Sequence, residues 1–530
     1  VNFSGAGRTI NGSGGAGDSR QEFEIFNFTS GGFELAGTHD GLDAVNFLAG
    51  ANSVSGSLGA TTTTIAAGAS LDAADGASFS GALVNNGALS LGGDAGATAT
   101  AGSFEQGVNG ALTISANDLL VVSGDVTLGG ELTFANLSVL SPGSTTSIII
   151  DGGTGLVGTF DVVSSGVLIG QSVEYDLANF DVLLTTTINP ASTIAGLNDN
   201  QSNVGDYLIG LLSDPNLDPA LLDFIFAIGL NPDTEDLATI LDNLTPEDID
   251  QAMQFLSVSQ RDFMRSLLNL GSSGDGFDLA SRNVGVRFAS LNGGAAAPDS
   301  DEPFAWVSID GAKIKNGSTN ANHGFGGRYF QFRGGVGGIG KGSVKFGLAA
   351  AYSDYQGDAE GPLGDDVDAE TFSVAGTLGA PLAFGRIDSV AAYSAGDADI
   401  KMRLIDPVSA QTIVQTGTAD ISSYSLRSRL TFDGVERPNW LLAPHIQAGV
   451  TRSKLSDMTA GTGVSAINVQ DSKNLRGDVG LGASYYRKWS DILSLHATAT
   501  GVRYFGDTEN SFASRFALAP AGGGSFATVG

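Results

Sequence analysis

Cysteine is absent from all 530 residues. That excludes a disulfide framework, thiolate metal sites and cysteine nucleophiles together. It also suits a chain that crosses an oxidising compartment unfolded. Lysine is missing from residues 1–300, which hold six arginines against 34 carboxylates. Residues 301–530 carry 20 basic and 23 acidic groups, so nearly all of the formal charge of −31 lies in the first region. Such a chain offers no clustered cations for a nucleic-acid backbone, and the asymmetry marks two regions built for different surroundings. Histidine is scarce, four in all with only His39 before residue 300, which leaves little material for a Ser-His-Asp centre. No apolar run approaches the roughly eighteen residues of a membrane helix, so membrane residence would require a barrel. No basic start and apolar stretch follow Val1, so no signal peptide opens the sequence and its N-terminus is expected to lie inside a longer protein.

What is plentiful is glycine, 76 residues, set among short β-prone runs. In residues 1–190 these runs are three or four residues long, as in Leu112-Thr113-Ile114, Leu119 to Val122 and Leu132-Thr133-Phe134. Strands so short cannot bury enough surface alone, and stacking them coil on coil solves the problem. A β-helix is therefore expected, with a β-sandwich as the alternative. Its repeat is too irregular for a period to be read.

Between about 191 and 303 the pattern becomes helical and then loose. Asp218-Pro219 and Thr245-Pro246 each place an N-cap residue before a first-turn proline. Ile249, Met253, Leu256, Phe263 and Leu267 form one apolar stripe, with Gln251, Gln254, Ser257 and Gln260 off it. Residues 271–303 read as a loose segment.

From Phe304 onward the period is two. Phe346 and Leu348, Phe372, Leu426 and Leu430, and Leu481 fall on apolar faces. Arg427, Arg429, His445, Arg476 and Asp478 fall on the opposite, polar faces. In a membrane barrel the apolar face meets lipid and the polar face lines a lumen. Nine segments of membrane-spanning length follow one another up to Phe505, with Tyr352, Tyr355, Tyr393, Tyr504 and Phe505 placed where an aromatic girdle would lie.

Three stretches carry a family resemblance. "SIIIDGGTGLVGTFDVVSSG" with "SVEYDLANFDVLLTTT" (147–187) looks like the closing coils of a secreted β-helix. "EPFAWVSIDG" (302–311) looks like a first barrel strand, and "SRFALAPAGGGSFATVG" (514–530) looks like the lead into a tenth. With the order of coils, helical connector and barrel, the chain resembles the autotransporters of type V secretion.

The resemblance implies a mainly β protein in three parts. A right-handed parallel β-helix, the remnant of a passenger, would span 1–190. A helical connector ending in a pore helix at about 246–270 would span 191–303, and an antiparallel transmembrane β-barrel would span 304–530. It implies twelve strands, of which nine or ten are present, so the barrel is expected to continue for about fifty further residues. The implied function is outer-membrane delivery of the passenger to the cell surface, probed against two alternatives: a passive porin, and an enzymatic passenger whose site lies upstream. Implied partners are outer-membrane lipid, the barrel assembly machinery and a host or surface ligand of the passenger.

No catalytic, cofactor or metal site is expected. "AGDSRQ" (16–21) superficially resembles an esterase block, yet Arg20 stands where leucine belongs and no strand precedes it. "GTHDGLDAV" (37–45) lacks the alternating Gly-Asp repeat of calcium β-rolls. Asn243 and Asn269 occupy the region where some relatives cleave themselves, but neither sits in the paired-asparagine motif of that subgroup. The lumen charges read either as pore electrostatics that meet the connector helix or as mutual ion pairs, and the two are compatible.

Overall fold

The computed structural model describes residues 2–5, 8–13, 25–92, 96–115, 117–134, 143–163, 165–246, 249–272, 284–288, 304–316, 325–339, 343–359, 365–406, 411–437, 440–490, 493–507 and 510–529. Two compact units emerge: Val1–Leu197 with Gly205–Ala238 and Ala519–Gly523, and Asn198–Val204 with Thr239–Leu518 and Gly524–Gly530. The connector of the sequence reading is thus shared between the units.

The second unit is built on an antiparallel sheet whose path runs through ten strands. In order these are Val284–Phe288, Phe304–Asn316, Phe325–Ile339, Lys345–Ala359, Asp366–Leu382, Gly385–Ile405, Thr412–Phe432, Trp440–Leu455, Ser472–Ser490 and Leu493–Gly506. Each strand pairs with its chain neighbour, the pattern of an up-and-down meander. The nine long segments fall where the alternation placed them. The tenth strand differs from expectation: Val284–Phe288, in the segment read as loose, pairs with Phe304–Asn316. Phe526–Val529 instead joins a separate four-stranded sheet with Met458–Ala460, Ile467–Val469 and Ser511–Phe516.

Four α-helices lie between the two β regions: α1 (Asp199–Leu211), α2 (Pro219–Gly229), α3 (Thr234–Asp242) and α4 (Asp250–Ser272). Asp218 caps α2 as anticipated, accepting from the Ala220 amide with Pro219 in the first turn. The amides that Thr245 would cap belong to residues 247 and 248, which lie outside the described residues. The Thr245 hydroxyl turns back to the Asp242 carbonyl, closing α3, and α4 starts only at Asp250.

The first unit is a parallel β-helix ending in an antiparallel hairpin. One interior column shows its construction. Phe3 pairs with Phe28, Phe28 with Phe47, Phe47 with Ile65, Ile65 with Asn85 and Asn85 with Gln106. The steps between these partners are uneven, 25, 19, 18, 20 and 21 residues, because insertions fall at the corners of coils. No single period could therefore be read from sequence. Phe3, Phe28 and Phe47 stack with ring centroids 4.7 and 5.1 Å apart. Each buried aromatic or aliphatic side chain of such a column contributes about 1.5–3 kcal/mol. Where the column turns polar, the Gln106 amide donates to the Gly129 and Glu131 carbonyls, both at 2.9 Å, so the buried amide is satisfied. At the far end Asp181–Ile188 pairs antiparallel with both Gly143–Gly152 and Ile169–Asp176.

Asp118 ties coils together at a corner. Fully buried, its carboxylate accepts from the Gly96 and Ala97 amides of the preceding coil at 2.9 and 2.8 Å and from Ser115 at 2.6 Å. Burial pushes its carboxyl above the ordinary aspartate value, while these three donors hold it down. Asp118→Ala would strand the buried Ala97 and Ser115 N–H groups and free that of Gly96, and should destabilise the solenoid by about 3 kcal/mol. Asp75, which accepts one exposed bond from Thr98, is the control, and Asp75→Ala should cost less than about 1 kcal/mol. Urea melts of the purified chain followed by circular dichroism compare them, and equal midpoints would refute the assigned role.

Candidate translocation pore

Helix α4 lies on the inward side of the long sheet and packs against six consecutive strands, from Phe325–Ile339 to Trp440–Leu455. The fit is of large against small. Phe263, Met264, Leu267 and Leu268 of the helix meet a wall of Ala349, Ala351, Ala375 and Ala392, closed by Val390 and Trp306. Alternation supplies the wall, since every second residue of these strands faces in and the sequence places alanine there. Interdigitation of this kind reaches the density of a protein interior and leaves a dry collar.

Toward the helix N-terminus the contacts become polar. Gln260, fully buried, accepts from the hydroxyls of Ser423 and, at 2.7 Å, Ser425, and donates to the Ser423 carbonyl at 3.4 Å. Tyr329 donates to Asp262 at 2.5 Å, and Gln331 to the Ser259 carbonyl at 3.1 Å. Phe255 stacks on Tyr355 with centroids 5.1 Å apart. Tyr355 itself lies over glycine: a Cβ on Gly327 would come within 2.4 Å of its ring, and one on Gly357 within 2.2 Å of its hydroxyl. A longer side chain at either position would displace the ring that α4 packs on.

The far wall is charged. Arg427, Gly449 and Asp478 are cross-strand neighbours on three adjacent strands. The arginine reaches over the glycine to make a two-pronged pair with Asp478, 3.0 Å on the Nη1 prong, both groups being under 10% exposed. A Cβ on Gly449 would sit 3.0 Å from that guanidinium, which explains the glycine. Arg429 lies directly across from Asp388, which also pairs with Arg386 at 2.7 Å. His445 shares a hydrogen bond with Thr500 at 2.9 Å. Arg265 of α4 is close enough to repel both Arg427 and Arg429. Of the five lumen residues singled out in sequence, four are thus buried on the inward face. Arg476 shares the inward side of its strand with Asp478 but is only half-buried, donating to the Asp507 carbonyl at 2.9 Å near Asp250 of α4.

The outward face carries the opposite chemistry. Phe346, Leu348, Phe372, Leu426 and Leu481 are between 51% and 69% exposed, and Leu430 is partly exposed. Along Gly385–Ile405 the outward residues run Ile387, Ser389, Ala391, Tyr393, Ala395, then Asp397, Asp399 and Lys401. The apolar part covers about the nine to eleven residues that a bilayer needs. Tyr393 packs on Tyr424 of the next strand, centroids 4.8 Å apart, at its edge. Just past this ring Asp354, Glu370, Asp397 and Asp420 are direct cross-strand neighbours. Four like charges in a row disfavour pairing unless each faces water, so they mark where the apolar surroundings end.

Three placements correct the sequence reading. Tyr355 points inward to Phe255, and Tyr504 accepts a hydrogen bond from Arg261 of α4 at 3.2 Å, so neither belongs to the outer girdle. Ser425 faces in, but inside the Gln260 clamp, so it is no open lumen position. Elsewhere, His39 directs Nε2 at the Ile10 and Ala36 carbonyls, 3.2 and 3.1 Å away, and Asn243 donates to the Thr239 carbonyl at 2.8 Å. "AGDSRQ" and the Asn269 side chain lie outside the described residues. Among those described, no three His, Asp or Glu side chains gather as metal ligands.

An antiparallel sheet with an apolar outer band, a polar inner face and a helix against that inner face defines the class: an outer-membrane β-barrel with an internal helix. Residues 305–530 match the family model of the autotransporter β-domain. Among solved structures it is similar to the β domain of the Bordetella autotransporter BrkA, at 14% identity over 40% of this chain and 89% of that one, with a TM-score of 0.23. No curated protein matches.

Two outcomes follow for the purified barrel. Leu426→Arg and Leu481→Arg should each impair assembly, at about 2–4 kcal/mol near the midplane, read as loss of the heat-modifiable band on gels. Normal assembly of both would refute the outward register. Asp478→Ala leaves Arg427 buried without its carboxylate and should cost about 3–5 kcal/mol, lowering the temperature at which that band unfolds. An unchanged transition would show the pair to be dispensable.

Proposed function

We propose that this β-domain delivers the N-terminal solenoid across the outer membrane to the cell surface, where the solenoid serves as a structural, adhesive passenger rather than an enzyme. The observation that carries the reading is continuity. One chain runs from the β-helix through α1–α3 into α4, which is held on the inward side of the sheet, and then into the sheet's first strands. A passive porin would keep that interior open to water, whereas here it holds a dry collar of helix against alanine. An adhesive role is supported by the long stack of coils with small polar residues outward, and by His39, whose Nε2 is engaged with backbone carbonyls. Export without ATP has a physical source, since each coil that folds outside buries its apolar face on the last and disfavours return. The outward band would contact outer-membrane lipid, the barrel assembly machinery would insert the sheet, and a host or surface ligand would meet the solenoid.

The test is an epitope inserted at the exposed turn Asp75-Gly76. On intact cells it should bind antibody, and added protease should remove it while the barrel survives. An epitope reached only after lysis would refute surface delivery.

A further inference from the structure

Past the tyrosine ring, the strands Gly385–Ile405 and Thr412–Phe432 continue with their polarity reversed. Asp397, Asp399 and Lys401 face out, while Ala398, Ile400, Met402 and Leu404 face in and are fully buried. Lipid would reject this arrangement and water would favour it, so this end of the sheet is built like a soluble protein with its core on the lumen side.

A separate four-stranded sheet of Met458–Ala460, Ile467–Val469, Ser511–Phe516 and Phe526–Val529 reaches this core through its first strand, which lies on the inward face beside the paired Ile400 and Gly417. Its position is fixed by inward residues of Thr412–Phe432. A Cβ on Gly417 would meet Met458 Cε at 2.4 Å and Ala460 Cα at 3.2 Å. Gln415 donates to the Ser465 hydroxyl at 2.5 Å, and the Gly461 amide donates to the Thr416 carbonyl at 3.1 Å. The buried side of the small sheet carries Phe512, Phe516, Phe526 and Ile467. At its rim Asn474 donates to Asn510 at 2.6 Å, and Asn510 donates to Asp250, the first residue of α4. The small sheet and the helix N-terminus therefore occupy the same mouth of the barrel.

We propose that this four-stranded sheet is a lid that seats across the outer mouth only after the passenger has left. The proposal rests on the export reading given above. A polypeptide in transit needs the inward ground of Gln415 and Gly417, which the seated lid covers, so transit and closure exclude each other. Met458 and Ala460 settle on the wall at Gly417 once the path empties, and Asn510 meets the end of the helix that remains.

Absence of cysteine makes the test clean. Gly417→Cys with Ala460→Cys places one thiol pair, unique in the chain, where the lid touches the wall. Cells making this variant are oxidised briefly, and the cross-link is read as a shift on non-reducing gels. A parallel form is stalled by a tightly folded, cysteine-free domain fused ahead of Val1. The cross-link should form in finished chains and be lost in stalled ones. A cross-link insensitive to stalling, or absent from both forms, would overturn the lid; heat-modifiability of each form, and the two single-cysteine variants, control for assembly. Failure of the export reading shows separately, as an epitope at Gly76 that stays hidden on intact cells, and takes the lid with it.

Discussion

A strand in a bilayer cannot leave an N–H or C=O unpaired, because no water is at hand to replace the partner. Between its two edge strands the long sheet meets that demand by antiparallel pairing on both sides of each strand, and pairing enforces a period of two along every strand. Once that period is set, each strand owns two faces with nothing in common. Ile387, Ala391 and Tyr393 go to one solvent and Asp388, Val390 and Ala392 to another. The pore, its helix and its charged wall all descend from this division. Glycine and alanine on the inner face are its counterpart: they leave the volume that α4, Tyr355 and the Arg427 guanidinium occupy.

The inner face is divided in turn. Where the wall is alanine, the helix offers Phe263, Met264, Leu267 and Leu268, and dispersion holds it. Where the wall carries serine and glutamine, the helix offers Gln260 and Ser259, and directed hydrogen bonds fix its rotation and depth. Non-directional packing tolerates sliding, whereas a buried amide that loses its partners incurs the full desolvation cost. The polar layer therefore sets the register and the apolar layer supplies most of the adhesion.

Much of this was legible in the sequence, for reasons that also mark where legibility stopped. Alternation located nine long strands, because period two survives any context that keeps one face apolar. It also assigned the face of Arg427, Arg429, His445 and Asp478. It misplaced Tyr355 and Tyr504, since position near a strand end says nothing about which face a tyrosine takes when both faces accept one. The reversal of polarity after Tyr393 was present as a change in the parity of the apolar residues, from Ile387 and Ala391 to Ile400, Met402 and Leu404, and tracking parity along one strand would have found it. The solenoid's steps of 18 to 25 residues hid its period. Stacking demands equivalence only of the inward residues, not of the corners between them.

The hairpin at the end of the β-helix has a consequence for the solution behaviour of the solenoid. A stack of parallel coils ends in a strand edge whose amides and carbonyls invite another chain, and two such ends could grow into a fibre. Asp181–Ile188 turns this edge around, lying antiparallel on Gly143–Gly152 and taking Ile169–Asp176 on its other side. Two antiparallel steps restore the original direction, so the outer strand, Ile169–Asp176, runs parallel to the coils and strand direction alone would not bar a neighbour. The terminator is instead the chain that follows: Gly229 of α2 packs against Ile169, and the Asn231 carbonyl accepts from the Val167 amide at 2.9 Å, so the start of this edge is covered by sequence already needed to finish the fold.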